Sequence, residues 1–129
     1  MNERRIRVAA RRDLTQAVVA TGIPHMGRPE HARASRELAA MMPQVAGIRR
    51  SGSAALDMAY VAAGRYDAYW EWDLNPWDLA AGIILVREAG GFVSDMNGGS
   101  EVLSKGSVLA SNENLTRPVQ TILKKARSA

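Results

Sequence analysis

An aspartate and a glutamate seven positions apart, Asp78 and Glu71, and the small-residue run Ser51-Gly52-Ser53-Ala54-Ala55 are the residues here whose types and spacing suit chemistry on a phosphate or a polyol. Asp78 falls at about the third position of a helix that Asn75 can cap and Pro76 can open, so its carboxylate faces the positive end of the helix dipole. Two readings stand for it. One is a plain helix-start stabiliser. The other is a ligand for a hard divalent cation, because a carboxylate between Trp77 and Leu79 in a nearly apolar helix needs a compensating partner. Glu71 leaves the predicted strand Asp67-Ala68-Tyr69-Trp70, and a strand-loop-helix path lets Glu71 and Asp78 point into one crevice at the strand's C-terminal end, where open α/β sheets favour ligands. The plain alternative for Glu71, and still more for Asp73, is a solvated loop acid. Gly52 and Ser53 open a helix with free backbone N–H groups, which suits a phosphate or a hydroxyl-rich ligand and equally an ordinary N-cap. His25 and His31 have no metal-ligand spacing, no paired glutamate and no nucleophile beside them, so surface or loop roles are expected of both.

These residues need elements to carry them. Arg5 to Ala9 alternates and reads as a strand, Asp13 to Gln16 as one helical turn, and Ala17 to Ala20 as a short apolar strand ended by the loop Thr21-Gly22-Ile23-Pro24. Pro29 to Met42 has the spacing of an amphipathic helix. Ile48 to Arg50 is too short to assign. Ser51 to Ala63 is a helix whose one charged member is Asp57, with Gly64 as its stop. Tyr66 to Trp70 is a strand, and a helix follows from the Asn75 cap to the Gly90-Gly91 stop. Phe92 to Ser94 and Ser107 to Ala110 are strand candidates around turn chemistry at Met96 to Gly99, and Asn112 to Ala126 closes the chain as a helix. Strand and helix alternate, so the class is α/β. The helices over 53–63 and 76–89 are apolar nearly all round, and a chain of this size seldom covers two such helices alone. A partner surface from another segment or subunit is the expectation.

The bulk numbers agree with one soluble unit: 129 residues, 47% hydrophobic and 23% charged. The formal charge is +4, and five arginines (Arg4, Arg5, Arg7, Arg11 and Arg12) crowd the N-terminus. Their alternation with Ile6 and Val8 is that of the wet face of an edge strand; nucleic acid or an anionic surface is the other reading. Cysteine is absent, which excludes disulfides, thiolate nucleophiles and Cys-ligated zinc. No apolar run approaches the roughly 18 residues of a membrane span, and Arg11, Arg12 and Asp13 interrupt any signal-peptide core. No membrane association is expected, and the cytoplasm is the default location.

Against this background the run Gly52-Ser53-Ala54-Ala55-Leu56-Asp57-Met58-Ala59-Tyr60-Val61-Ala62-Ala63-Gly64, then Asp67-Ala68-Tyr69-Trp70-Glu71, then Trp77-Asp78-Leu79-Ala80-Ala81-Gly82 and Glu88-Ala89-Gly90-Gly91 resembles inositol monophosphatases. The Trp-Asp-x-Ala-Ala-Gly block followed by Glu-Ala-Gly-Gly is that family's C-terminal signature, and Ala20-Thr21-Gly22-Ile23-Pro24 and Ala110-Ser111-Asn112 also fit. The resemblance spans essentially the whole chain. It implies the C-terminal part of a layered α/β sandwich over residues 1–129, with Asp78 as a Mg2+ ligand, Gly52, Ser53 and Ala54 touching substrate, Glu71 binding inositol hydroxyls, and Arg49 as a weaker substrate-side candidate. It further implies metals that activate a water for in-line attack on the phosphoester, with no covalent phosphoenzyme and no catalytic side chain among these residues.

One departure accompanies the match. The family's upstream Asp-Pro-(Ile/Leu)-Asp-Gly-Thr motif and the metal-binding glutamate before it have no counterpart in residues 1–50. Magnesium wants several oxygens in near-octahedral array, so the chain by itself is expected not to turn over substrate. A complementary N-terminal half or a homodimer is the expected partner, and myo-inositol 1-phosphate or a related polyol phosphate the expected substrate. The contrasting expectation is a non-catalytic interaction module for RNA or a protein.

Overall fold

The computed structural model describes residues 6–22 and 31–128. Its elements in chain order are β1 (Val18–Thr21), α1 (His31–Met41), β2 (Gly47–Arg49), α2 (Ala54–Ala62), β3 (Ala68–Glu71), α3 (Pro76–Glu88), β4 (Phe92–Ser94), α4 (Val102–Lys105), β5 (Val108–Ser111) and α5 (Thr116–Ser128). Short 3-10 turns stand at Leu14–Gln16 and Met42–Gln44.

Helices pack on both faces of the sheet, α2 and α3 on one and α1 and α5 on the other. Its order is β2-β1-β3-β5-β4, with β1 parallel to β2 and β3, and β5 antiparallel to β3 and β4. Side chains alternate between two cores. Ala20, Tyr69, Val108 and Ala110 pack with Met58, Val61, Leu79, Ile83 and Val86 of α2 and α3. Val19, Ala68, Trp70 and Leu109 pack on the other side with Met41 of α1 and Val119 and Leu123 of α5. Full burial of each Val, Leu or Met contributes about 1.5–3 kcal/mol before chain entropy is charged against it. Gly82 lets α2 and α3 approach closely, since a Cβ there would sit 2.6 Å from Met58 Sδ.

The predicted strand over 5–9 does not form within the described residues: 6–10 are irregular. Ile6 and Val8 instead pack on the α2/α3 core, and the Val8 N–H donates to the Ala89 carbonyl at 3.0 Å. The described arginines there, Arg7, Arg11 and Arg12, are exposed as a solvated face requires, but on an irregular segment and not on a strand. Arg11 Nε donates to Asp67 Oδ1 at 3.1 Å, while Asp67, 3% exposed, also accepts from the Val18 N–H at 2.8 Å. Arg4 and Arg5 lie outside the described residues. The segment around Ile48 is a strand, β2, and α4 is an additional one-turn helix stopped by Gly106 in the left-handed conformation.

The cover expected for α2 and α3 is partial. α3 buries Leu79, Gly82, Ile83 and Val86 but leaves Trp77 76% and Ile84 59% exposed. Among the described residues no helix is long and apolar enough to cross a membrane.

Candidate functional site

Alternation along β3 sends Tyr69 and Glu71 to the α2/α3 side of the sheet and Trp70 and Trp72 to the α1/α5 side. Glu71 is the last residue of β3 in register with β5, opposite Val108. Its half-buried carboxylate accepts from the Tyr69 hydroxyl and lies on the Cα of Gly22, where a Cβ would stand 2.0 Å from Glu71 Cδ. Gly22 follows β1, whose last residue, Thr21, donates through Oγ1 to the Trp70 carbonyl at 2.9 Å. Two neighbouring parallel strands thus end together and hold Glu71 at their C-terminal edge.

Burial raises the Glu71 pKa above the ordinary carboxylate value, and the charges of Asp57 and Asp78 add to the rise; the Tyr69 hydrogen bond and Arg50 oppose it. Burial, together with Glu71, pushes the Tyr69 phenol far up, so it remains a donor throughout the physiological range. Asp57, 1% exposed, is also raised by burial and is partly relieved by the Ser51 hydroxyl, which donates to Oδ1 at 2.7 Å. The Ser51 oxygen in turn accepts from the Ser53 N–H at 3.2 Å. Asp57 therefore ties down the segment that leads into α2.

Within that segment Gly52 has φ +84, a conformation that favours glycine, and Ser53 is an N-cap whose side chain accepts from the Leu56 N–H at 3.2 Å. Gly52 and Ser53 are exposed and Ala54 is half-buried. The plain cap reading of Ser53 holds, and the exposed loop remains open to a ligand.

Asp78 is half-buried in the first turn of α3, where its N–H donates to the Asn75 carbonyl at 3.0 Å; the Asn75 side chain makes no cap bond. Asp78 is not enclosed by apolar neighbours on both sides, since Leu79 is buried but Trp77 is exposed. Its charge nevertheless bears on Glu71 and Tyr69, as does that of Asp57. The charges of Asp57 and Asp78 thus both act on Glu71, and carboxylates are hard oxygen donors that suit Mg2+. They do not close a metal site: among the described residues no group of three His, Cys, Asp or Glu side chains could hold an ion.

Arg49 does not join this group. It ends β2 and is exposed, and its Nη1 donates to the Ile48 carbonyl at 3.2 Å. Arg50 is the neighbouring arginine whose charge acts on Glu71. His31 opens α1, and His25 lies outside the described residues. Sequence reasoning missed Asp57, Tyr69, Gly22 and Arg50. Two signals were present: Asp57 is the one charge in an apolar helix, and Tyr69 stands two residues before Glu71, hence on the same strand face.

The comparisons with known proteins meet this geometry. The model of the inositol monophosphatase family matches residues 1–128. The chain is 54% identical over 129 residues to an inositol-1-monophosphatase of Mesorhizobium japonicum, covering 100% of this chain and 48% of that protein. It is 45% identical over 128 residues to the Nus factor SuhB of Pseudomonas aeruginosa, covering 95% of this chain and 46% of that one. The crystal structure of the extragenic suppressor protein suhB from Bartonella henselae superposes with a TM-score of 0.92 at 52% identity, over 96% of this chain and 48% of that chain. The chain spans about half the length of the curated relatives it matches. With an α/β sheet that superposes on proteins of that fold and a family match over nearly its whole length, this chain belongs to the inositol monophosphatase family.

Proposed function

We propose that this chain forms the C-terminal, substrate-facing part of a Mg2+-dependent phosphomonoesterase that converts myo-inositol 1-phosphate or a related polyol phosphate to free alcohol and phosphate. One observation carries the reading: Glu71 is held at the end of β3 by Tyr69 and against Gly22, and the charge of Asp78 acts on it. In this reading Asp78 is a metal ligand, Glu71 accepts hydrogen bonds from sugar hydroxyls, and the segment Gly52, Ser53 and Ala54 meets the substrate. Arg49 is the weaker substrate-side candidate. Bound Mg2+ would supply charge neutralisation at the phosphate and a water acidic enough to attack it. Tyr69 keeps Glu71 oriented by donating to it, and Asp57 keeps the Ser51–Ser53 segment in place through Ser51.

Carboxylates beyond the described residues complete the metal set in this proposal, from a complementary N-terminal half. The chain by itself is then inactive, and it works in the cytoplasm, as a heterotypic pair or a homodimer. Binding of myo-inositol 1-phosphate to the chain with its complementary half, followed by calorimetry, tests this. The expected result is binding that requires Mg2+ and changes little between 50 and 200 mM salt (about one order of magnitude at most).

The name Nus factor SuhB among the relatives favours a second reading, an interaction module for RNA or a protein. Its mark in the same titration is Mg2+-independent binding to RNA that collapses over that salt range. The capture of Arg11 by Asp67 leaves fewer free cations for it.

A further inference from the structure

β3 presents its two faces to different layers, and what holds one face in place sits on the other. Beyond Glu71 the chain runs through Trp72, Asp73 and Leu74 into α3, and Asp73 takes the left-handed backbone at φ 60. One backbone bond steadies this link, from the Leu74 N–H to the Gly106 carbonyl at 2.7 Å. Side chains do the rest. The Trp72 indole N–H points at both carboxylate oxygens of Glu37 in α1, 3.0 Å from Oε2 and 3.2 Å from Oε1. Glu37 is only 2% exposed. Arg33, one helical turn before Glu37, stacks 4.2 Å from the Trp72 ring centroid, and its Nη2 reaches Asp73 Oδ2 at 3.3 Å. Arg127 of α5 approaches the same ring at 5.2 Å.

Packing α1 on the sheet would be served at least as well by a leucine at position 37, because a buried carboxylate must be compensated. Here the compensation is directed at the residue that follows Glu71. We propose that Glu37 and Trp72 form a latch between α1 and the β3–α3 link that positions Glu71 from the far side of the sheet, and so sets the preference for hydroxyl-bearing phosphate esters over simple ones. The role rests on Glu71 being the hydroxyl acceptor. Glu37 and Trp72 are positioning residues: consecutive residues on a strand move together, and a hydrogen-bond acceptor displaced by about 0.5 Å loses much of its discrimination.

Trp72→Phe keeps a ring beneath Arg33 and removes the N–H; Glu37→Leu keeps the volume and removes the acceptor. The first arm measures hydrogen exchange of amides 71–75 in the chain as it stands. Both variants are expected to exchange there about tenfold faster, with α2 unchanged. Unchanged exchange over 71–75 overturns the latch. The second arm compares myo-inositol 1-phosphate with p-nitrophenyl phosphate, using the chain with its complementary half and Mg2+. Trp72→Phe should raise the KM for the inositol ester about fivefold, change its kcat less than about twofold and leave the p-nitrophenyl ester alone. Added to Glu71→Gln it should cause no further loss. Equal losses on both esters, or additive losses in the double variant, overturn the positioning role. If Glu71→Gln itself leaves KM unchanged, or no turnover occurs, the reading of Glu71 fails instead, and the exchange arm alone decides the latch.

Discussion

At Gly22 a single hydrogen in place of a methyl group decides where a carboxylate rests. Gly22→Ala would put Cβ on the Glu71 carboxyl, and because that group is the free end of a flexible side chain it swings away rather than unfolding the protein. The expected outcome is a melting temperature within about 2 °C of the parent and a KM for myo-inositol 1-phosphate raised about tenfold in the assembled enzyme. Calorimetry and initial rates check the two halves of that statement. A second prediction concerns pH. Burial raises Glu71 above 4.5 and Asp57 above 3.8. An acid whose folded pKa is raised holds its proton more tightly in the folded state, so its stabilising effect is complete below the unfolded pKa and is lost as pH rises through the folded one. Without Mg2+ the melting temperature should therefore fall as pH climbs from about 4 towards neutrality, and Glu71→Gln should flatten that fall and raise the pH 7 value by about 3 °C. Identical slopes in parent and variant would contradict the burial of Glu71. The places of Glu71 at the end of β3 and Asp78 in the first turn of α3 were legible in the sequence because the strand, the loop and the capped helix are each well punctuated. The contact of Gly22 with Glu71 was not, since it arises from two strands brought side by side although Thr21 and Trp70 lie 49 positions apart in the chain. Arg49 and Arg50 differ by one position, and their spacing does not reveal that the charge of Arg50 acts on Glu71.

At the scale of elements, Asp67 joins the N-terminal segment to the sheet. It accepts from Arg11 Nε and from the Val18 N–H at the start of β1, so Asp67→Ala leaves a backbone donor without its acceptor. The expected cost is about 2–3 kcal/mol, read from urea unfolding; a loss under about 0.5 kcal/mol would show that the segment contributes little. The strongly punctuated helices were legible: Ser53 before α2, and Asn75-Pro76 before α3 with Gly90-Gly91 after it, mark their ends within a residue or two. The strand expected over 5–9 was not found because alternation of Ile6 and Val8 with arginines describes any extended segment with one buried side. α4 escaped notice because one turn has no period to read.

At the scale of the whole molecule, α3 is apolar on two sides and the fold covers one. Trp77, Ile84 and Leu85 remain exposed, and a groove of about 530 Å³ lined by Ile83, Ile84, Arg87 and Leu103 runs between α3 and α4. Such a patch seldom stays bare in solution. The isolated chain is expected to associate at tens of micromolar (about 10–50 µM), and the pair Trp77→Glu with Ile84→Glu should return it to a monomer in sedimentation velocity. A parent chain that stays monomeric at about 100 µM would contradict this. The all-round apolar character of this helix gave the sequence-level expectation of a missing cover. Which surface provides that cover is not written in a single helix.

The central claim is that Asp78 and Glu71 serve a phosphatase site completed from beyond these residues. Phosphate release from myo-inositol 1-phosphate with Mg2+ tests it most directly, measured for the chain alone, for the chain with a family N-terminal half, and for that mixture carrying Asp78→Asn. Turnover in the mixture only, reduced at least about 100-fold by Asp78→Asn, is the predicted result. Turnover by the chain alone, or a mixture indifferent to Asp78→Asn, would contradict it.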